Sequence, residues 1–144
     1  MLNIAKGRGI NVIQGVGERL PFRDRTFDYV AIIVTLCFVS NPTDVLAEVT
    51  RVTKVGGKVV ICIVPKDSQW GRYYMSKASV FYNIARFYTI PEVINLMNLA
   101  GLKVTRCVST LTFNPWDEPV IEEPKEVCKP LGFVCIEGIK VNFR

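Results

Sequence analysis

The chain has 144 residues with 49% apolar content, which is enough for one hydrophobic core. No stretch approaches the roughly 18 uninterrupted apolar residues of a membrane-spanning helix, and we expect no secretory signal and no membrane partner. The net charge of +5 is not gathered into a basic run, so a solvated basic surface is favoured over a nucleic-acid-binding face. Because histidine is absent, we predict neither a metal site nor a catalytic acid–base side chain.

The first third of the chain predicts a helix and two strands. Residues 2–6 indicate the end of a helix, with Gly7 and Gly9 as its stop signal. Residues 11–14 predict a short strand. Residues 27–35 form an apolar run without polar alternation, so we expect a strand that is covered on both faces.

A helix and a further strand follow. Asn41 is a suitable N-cap and Pro42 suits the first helical position, so a helix begins here and is predicted to end at Gly56 and Gly57. Residues 58–64 then predict a second apolar strand. Two such strands on either side of a helix indicate a βαβ unit with parallel strands.

The second half predicts two helices and two strands. Residues 68–85 are helical in pattern and rich in aromatic side chains, and Thr89 and Glu92 are spaced as a capping box that opens a helix ending at Gly101. Residues 102–113 and 132–141 predict the last two strands, separated by an acidic loop over residues 114–130.

The five cysteines form no Cys-x-x-Cys pair. Cys37, Cys62 and Cys107 lie within apolar runs, so we interpret them as small buried thiols. This pattern indicates a reducing setting and a cytoplasmic location.

Three stretches of the chain together resemble class I S-adenosylmethionine-dependent methyltransferases, in the UbiE-like, methyltransferase type 11 subgroup. They are GVGERLPF at residues 15–22 followed by FDYV at 27–30, LAEVTRVTKVGGK at 46–58, and SVFYNIARFY at 79–88. Val55 stands where the family usually has proline. Each stretch alone is a weak signal, whereas the combination is specific.

The resemblance implies an α/β fold in one domain over residues 1–144, a partial Rossmann-like methyltransferase fold with parallel strands and a C-terminal antiparallel strand pair. In the family, a strand, a glycine-rich loop, a helix and a second strand precede the position of Gly15. Here only fourteen residues do, so we expect a truncated domain without the loop and the acidic residue that hold the cofactor. The sequence Gly7-Arg8-Gly9 is a poor substitute, because it precedes a strand.

The resemblance also implies S-adenosylmethionine as the cofactor. The candidate cofactor-binding residues are Gly15, Val16, Gly17, Glu18, Thr35, Leu36 and Cys37. Relatives have an adenine-binding carboxylate at the position of Val16, and its loss removes a contact worth on the order of 1 kcal/mol. A tight turn at residues 15–17 and strand-end packing at residues 35–37 are the alternatives. Cys37 has no histidine to lower its pKa and is not expected to act as a nucleophile.

Tyr73, Tyr82 and Arg86 are the candidate substrate-binding residues, in a pocket for a small-molecule methyl acceptor. The alternative is that these aromatic residues belong to the core, since aromatics at helical spacing usually do. We interpret the Glu48–Arg51 pair as structural.

Two functions follow as hypotheses. The first is S-adenosylmethionine-dependent methyl transfer to an unidentified small molecule, for which the activity of this chain alone is in doubt. The alternative is a non-enzymatic, degenerate domain that serves as a dimerisation or partner-binding module. In the resembling fold, truncation exposes the edge of the strand at residues 27–35. We therefore expect the strand at residues 11–14 to move in and pair with this edge, or a homodimer through it, or its coverage by a missing N-terminal half.

Overall fold

The computed structural model of the protein describes residues 1–142. In chain order, its helices and strands are α1 (Leu2–Gly7), β1 (Phe27–Ile33), a 3₁₀ helix (Leu36–Phe38), α2 (Pro42–Val52), β2 (Thr53–Ile63), α3 (Gln69–Ser76), α4 (Val80–Ile84), α5 (Ile90–Leu99), β3 (Leu102–Thr110) and β4 (Phe133–Lys140). None of the described helices has the length and apolar character needed to cross a membrane.

The four strands form one sheet in the order β1-β2-β4-β3. β1 and β2 run parallel, with Val30 opposite Val59, and α2 makes the connection between them. β4 is antiparallel to both of its neighbours, β2 and β3. The predicted α/β fold, with a parallel βαβ unit and a C-terminal antiparallel pair, is therefore confirmed.

The hydrophobic core lies on one face of this sheet. α2 packs on β2, α5 packs on β3, and the two helices contact each other. Leu46 of α2, Val93 of α5 and Ile61 of β2 are completely buried there. On the opposite face of β1, Tyr29 and Ile33 remain 73% and 59% exposed. The prediction that this strand is covered on both faces is wrong for the described residues, because both packing helices lie on the same side.

Helix α2 begins as predicted but ends earlier. The Asn41 side chain accepts a hydrogen bond from the backbone N–H of Asp44, which caps the helix start. The helix ends at Val52 instead of at the Gly56–Gly57 pair, because the backbone N–H of Thr26 donates to the Val52 carbonyl at 2.7 Å. β2 therefore begins five residues before the predicted start, and Gly56, with φ of +78°, lies in a bulge opposite the start of β1.

Two further predictions about secondary structure are wrong. Residues 11–14 form no strand, since no described strand lies beside them to share backbone hydrogen bonds. The predicted helix over residues 68–85 is two helices, α3 and α4, with an extended break between them. Ser79 at this break has φ of −141° and ψ of 140°, which is strand-like backbone.

Helix α5 and its predicted capping box are present. The Glu92 carboxylate accepts from the backbone N–H of Thr89 at 2.7 Å, and the Thr89 hydroxyl accepts in return from the Glu92 N–H. Gly101 follows the helix with φ of +82°, a left-handed conformation that glycine adopts at little cost.

Four of the five cysteines are paired, which corrects the prediction of buried thiols at Cys62 and Cys107. Cys62 of β2 is bonded to Cys135, its cross-strand partner on β4. Cys107 of β3 is bonded to Cys128 in the loop before β4. Cys37 alone keeps a free thiol. The two bonds also remove the support that unpaired cysteines lent to a reducing compartment.

We expect the pairing to be visible by thiol counting. Iodoacetamide added to the denatured, unreduced protein should modify one cysteine, Cys37, and after reduction it should modify five. Intact mass spectrometry measures both numbers. A matched sample of a Cys37→Ser variant should show no modification before reduction, and finding three or more free thiols in the unreduced protein would contradict the structure.

Candidate functional site

The carboxyl ends of β1 and β2 lie side by side and form one edge of the site. The backbone N–H of Val34, just beyond β1, donates to the Cys62 carbonyl of β2 at 2.9 Å. The 3₁₀ helix Leu36–Phe38 then turns the chain across this edge toward α2. Ligands of open α/β sheets bind at such carboxyl edges, so the segments that follow the two strands are the candidate site.

An aromatic cavity of about 430 Å³ opens at this edge. Its described lining is mostly aromatic and aliphatic: Val34, Cys37, Phe38, Val64, Tyr74, Ser79, Phe81, Tyr82 and Phe87. The volume falls within the roughly 300–1,000 Å³ of small-molecule sites. We refer to this space as the aromatic cavity.

The break between α3 and α4 folds the two helices together and forms one wall of the aromatic cavity. The rings of Tyr74 and Tyr82 lie 5.1 Å apart between their centres and are inclined by 31°. Tyr73, a candidate from the sequence, lies outside this lining and has the Lys77 ammonium 4.3 Å from its ring centre. Tyr82 and Cys37 thus line the same cavity, whereas the Tyr73 ring packs edge-on against Trp70, with 6.4 Å between the ring centres.

Cys37 is half-buried in the wall of the aromatic cavity. Its thiol donates a long hydrogen bond of 3.7 Å to the Val34 carbonyl. Burial raises the pKa of Cys37 above its ordinary value, which keeps the thiol protonated at neutral pH. The neighbouring Leu36 is buried in the core, so its side chain packs and leaves only its backbone for a ligand.

Arg86 is separated from the aromatic cavity by its side-chain direction. Its backbone N–H donates to the Cys37 carbonyl at 2.8 Å, but the guanidinium lies 5.2 Å from the ring centre of Tyr88. The side chain lines a separate polar cavity together with Glu92 and Asn95. The structure therefore places the three substrate candidates in three different surroundings.

The loop at residues 15–18 lies against helix α2. A Cβ on Gly17 would lie 3.2 Å from a methyl group of Val45 on α2, so the loop approaches this helix closely. Val16 is 61% exposed, and its carbonyl accepts from the backbone N–H of Arg19, which closes a tight turn over residues 16–19. Glu18 is half-buried.

Gly17 and Thr35 line a second cavity, which we call the strand-edge cavity. Its volume is about 430 Å³, and it runs along the free edge of β1. The described lining is Gly17, Leu20, Phe22, Phe27, Tyr29, Val30, Ala31, Ile32, Thr35, Val39, Val45, Val49 and Val52. Thr35 and Tyr29 supply the only side-chain hydroxyls among these residues, so the cavity suits apolar groups.

Two charged residues of α2, Glu48 and Arg51, hold residues 20–24 in place. The backbone N–H of Leu20 donates to the Glu48 carboxylate at 2.7 Å, and the Arg51 guanidinium donates to the Leu20 and Phe22 carbonyls. Arg51 also contacts Glu48 and Asp24, each at 2.7 Å. These hydrogen bonds lower the pKa of Glu48 to about 2, with the Arg51 contact as the largest cause. The sequence indicated the pair by its spacing, but the loop it anchors is 28 residues away.

We expect Glu48→Gln to remove a pH-dependent part of the stability. The folded-state pKa of about 2 is below the ordinary 4.5, so the carboxylate stabilises the fold fully above 4.5 and loses this effect as the pH falls toward 2. The variant should unfold at a lower temperature than the wild type at neutral pH, and the difference should shrink on acidification to about pH 3.

Thermal unfolding followed by circular dichroism measures this difference. The same substitution at the exposed Glu118 is the matched control and should leave the pH profile unchanged. A constant difference between Glu48→Gln and the wild type across the whole pH range would show that the carboxylate acts by packing alone.

Among residues 1–142, no cluster of three or more histidine, cysteine, aspartate or glutamate side chains is placed to hold a metal ion. The hydrogen-bonding groups at this edge are also incomplete for a nucleoside cofactor. Apolar walls beside Gly17 suit an adenine ring, but Val16 offers no side-chain acceptor for its amino group. The described residues thus fit the adenine side of such a cofactor only in part.

Comparison with known proteins identifies relatives over nearly the whole chain. A methyltransferase domain family matches residues 1–61. An uncharacterized protein of Methanocaldococcus jannaschii is 39% identical over 143 residues, which are 98% of this chain and 69% of that protein. A demethylmenaquinone methyltransferase of Thermobifida fusca is 48% identical over 58 residues, 40% of this chain and 25% of that enzyme.

A solved structure is similar to the same extent. It is an S-adenosylmethionine-dependent methyltransferase of Thermotoga maritima, a possible histamine N-methyltransferase, with a TM-score of 0.91 and 39% identity. The match covers 97% of this chain and 69% of that one. The chain thus spans about two thirds of the length of the Methanocaldococcus and Thermotoga relatives and a quarter of the length of the Thermobifida enzyme.

Proposed function

Because this chain belongs to the class I S-adenosylmethionine-dependent methyltransferase family, we propose that it takes part in methyl transfer from S-adenosylmethionine to a small molecule. The family predicted from the sequence is confirmed. The observation that carries the proposal is the carboxyl edge of β1 and β2, where the candidate cofactor segments and the aromatic cavity lie on neighbouring elements. A bound sulfonium cofactor supplies a good leaving group, so positioning of the acceptor is the main task of the protein.

We assign the adenine side of the cofactor to residues 15–18 and the methionine side to Thr35, Leu36 and Cys37. Family membership supports the use of S-adenosylmethionine, and the close packing of Gly17 on α2 supports a loop that is held in a defined position. The group missing from this assignment is a side-chain acceptor for the adenine amino group at position 16.

The relatives suggest two chemical classes of acceptor. The name of the Thermotoga relative points to an amine, and that of the Thermobifida relative points to a quinone ring. As the chain spans only part of each relative, both acceptors are proposals for it. A location in the cytoplasm also stays a prediction.

The adenine-side assignment makes a prediction about Val16. We expect the chain to bind S-adenosylhomocysteine weakly, and Val16→Asp to bind it about ten-fold more tightly, because a carboxylate would accept from the adenine amino group. Isothermal titration calorimetry measures both affinities. Ile13→Asp adds the same charge at another exposed position outside the loop and should have no effect.

Two results would contradict this assignment. An equal gain from Ile13→Asp would mean that the added charge, not its place, improves binding. Micromolar affinity of the unmodified chain would show that the residues present here are sufficient without an acceptor at position 16.

A second candidate function, a dimerisation module, is favoured by the exposed edge of β1. We propose that a second copy of the chain covers it by antiparallel pairing of β1 with β1 about a two-fold axis at Ala31. This register places Tyr29 of each copy opposite Ile33 of the other, an aromatic–β-branched pair that occurs twice. The apolar strand-edge cavity runs along the same edge and would be closed by the partner.

The dimer is tested by light scattering after size-exclusion chromatography. We expect twice the mass of one chain, and at least about ten-fold weaker association for Tyr29→Lys, since a charged edge residue opposes pairing and acts twice. Leu99→Lys, at an equally exposed residue at the end of α5, is the control. A wild-type chain that stays monomeric at high concentration would exclude the homodimer and leave a different polypeptide as the partner of this edge.

A further inference from the structure

The aromatic cavity carries no charged side chain among the nine described residues that line it. Its polar groups are the hydroxyls of Tyr74, Ser79 and Tyr82 and the protonated thiol of Cys37. Ser79 does not use its hydroxyl to cap α4. These hydroxyls are therefore able to donate to, or accept from, an oxygen on a bound ring.

The shape of the wall favours a planar ligand. The Tyr74 and Tyr82 rings pack against each other, with their centres 5.1 Å apart, and Phe81 and Phe87 add further aromatic surface to the lining. Phe81 lines the cavity and is 70% exposed, so a large apolar side chain is left without cover in the described chain. A flat, apolar molecule would bury this surface and stack against the tyrosines.

A positive charge lies near this wall. The Lys77 ammonium sits 4.3 Å above the Tyr73 ring, between α3 and α4. Aromatic faces also attract cations, but Lys77 already occupies one such face and would repel a second cation. An ammonium group in the cavity would lose its hydration without a carboxylate to replace it.

Resting on the proposed function for the role of acceptor, we propose that the aromatic cavity binds a neutral, planar ring compound that carries a hydroxyl or carbonyl oxygen. It discriminates against amines that are protonated at neutral pH. Between the two acceptor classes suggested by relatives, the lining therefore selects the ring compound over the amine.

Cys37 provides a direct reporter of occupancy. It is the sole free thiol among the five cysteines, all of which lie in the described chain, and it lines the cavity. The rate of its alkylation by iodoacetamide, followed by intact mass spectrometry on the native, unreduced protein, measures access to the cavity without cofactor or activity. Two probes of matched ring size are used: neutral 1-naphthol and 1-naphthylmethylamine, which is a cation at neutral pH.

We expect 1-naphthol to protect Cys37 in a saturable manner, slowing alkylation about ten-fold at ten times its Kd. The amine at the same concentration should slow it less than about two-fold. Equal protection by the two probes, or no protection by 1-naphthol, would overturn the proposal.

A pair of variants on α4 tests the charge argument. Phe81→Glu places a carboxylate on the cavity wall. It should weaken the binding of 1-naphthol about ten-fold and strengthen the binding of the amine about ten-fold. Val80→Glu adds the same charge at a 78% exposed neighbour outside the lining and should change neither. Unchanged thermal unfolding shows that both variants fold, and equal effects of the two substitutions would overturn the assignment to the cavity.

This outcome is independent of cofactor binding. Protection of Cys37 by 1-naphthol in a chain that fails to bind S-adenosylhomocysteine would contradict the proposed methyl transfer but retain the ring-binding cavity. Cofactor binding without protection would leave methyl transfer in place and remove the ring compound as its acceptor.

Discussion

The parallel pairing of β1 with β2 is the constraint on which the site depends. Because α2 carries the chain back to the end of the sheet at which β1 begins, β1 and β2 both end at the opposite edge. Val34 and Val64, thirty residues apart in sequence, thereby line the same cavity. Cys37 takes its place there only because the 3₁₀ helix turns directly from the end of β1. Without this register, the two halves of the cavity wall would belong to different surfaces.

The one-sided packing of the sheet explains both the stable core and the open edge. α2 and α5 bury one face of the strands, and the alternate residues of β1 consequently point away from any described helix. An apolar strand of this kind has more hydrophobic surface than the described chain covers. The same geometry leaves the strand-edge cavity open beside Tyr29 and Ala31.

Electrostatics sets the position of the loop that leads into β1. Arg51 donates to two backbone carbonyls and two carboxylates, and Glu48 accepts from the backbone N–H of Leu20. These contacts hold residues 20–24 on α2, and the preceding turn brings Gly17 against Val45. Glu48 and Arg51, which are neighbours on one helix, thus hold a segment that is distant from them in sequence. Half-exposed charges are effective here because several hydrogen bonds share the same two side chains.

The sequence by itself determined the features that depend on residues a few positions apart. The cap at Asn41, the capping box of Thr89 and Glu92, and the turn at Gly101 are all present, because each is made by neighbours along the chain. The family was also determined at this level, since its motifs are contiguous stretches. The predicted end of α2 was wrong by a few residues, because the last carbonyl of the helix accepts a hydrogen bond from the backbone N–H of Thr26, which precedes β1.

Only the tertiary structure decided how distant segments combine. The Cys62–Cys135 bond joins residues 73 positions apart, and no local pattern indicates that β2 and β4 are neighbours. Arg86 follows the aromatic segment in sequence, yet its side chain lies outside the aromatic cavity, because its backbone N–H donates to the Cys37 carbonyl while its guanidinium lies over the Tyr88 ring. Local hydrogen bonds act within a helical turn, whereas cavities and cross-strand bonds depend on the packing of whole elements.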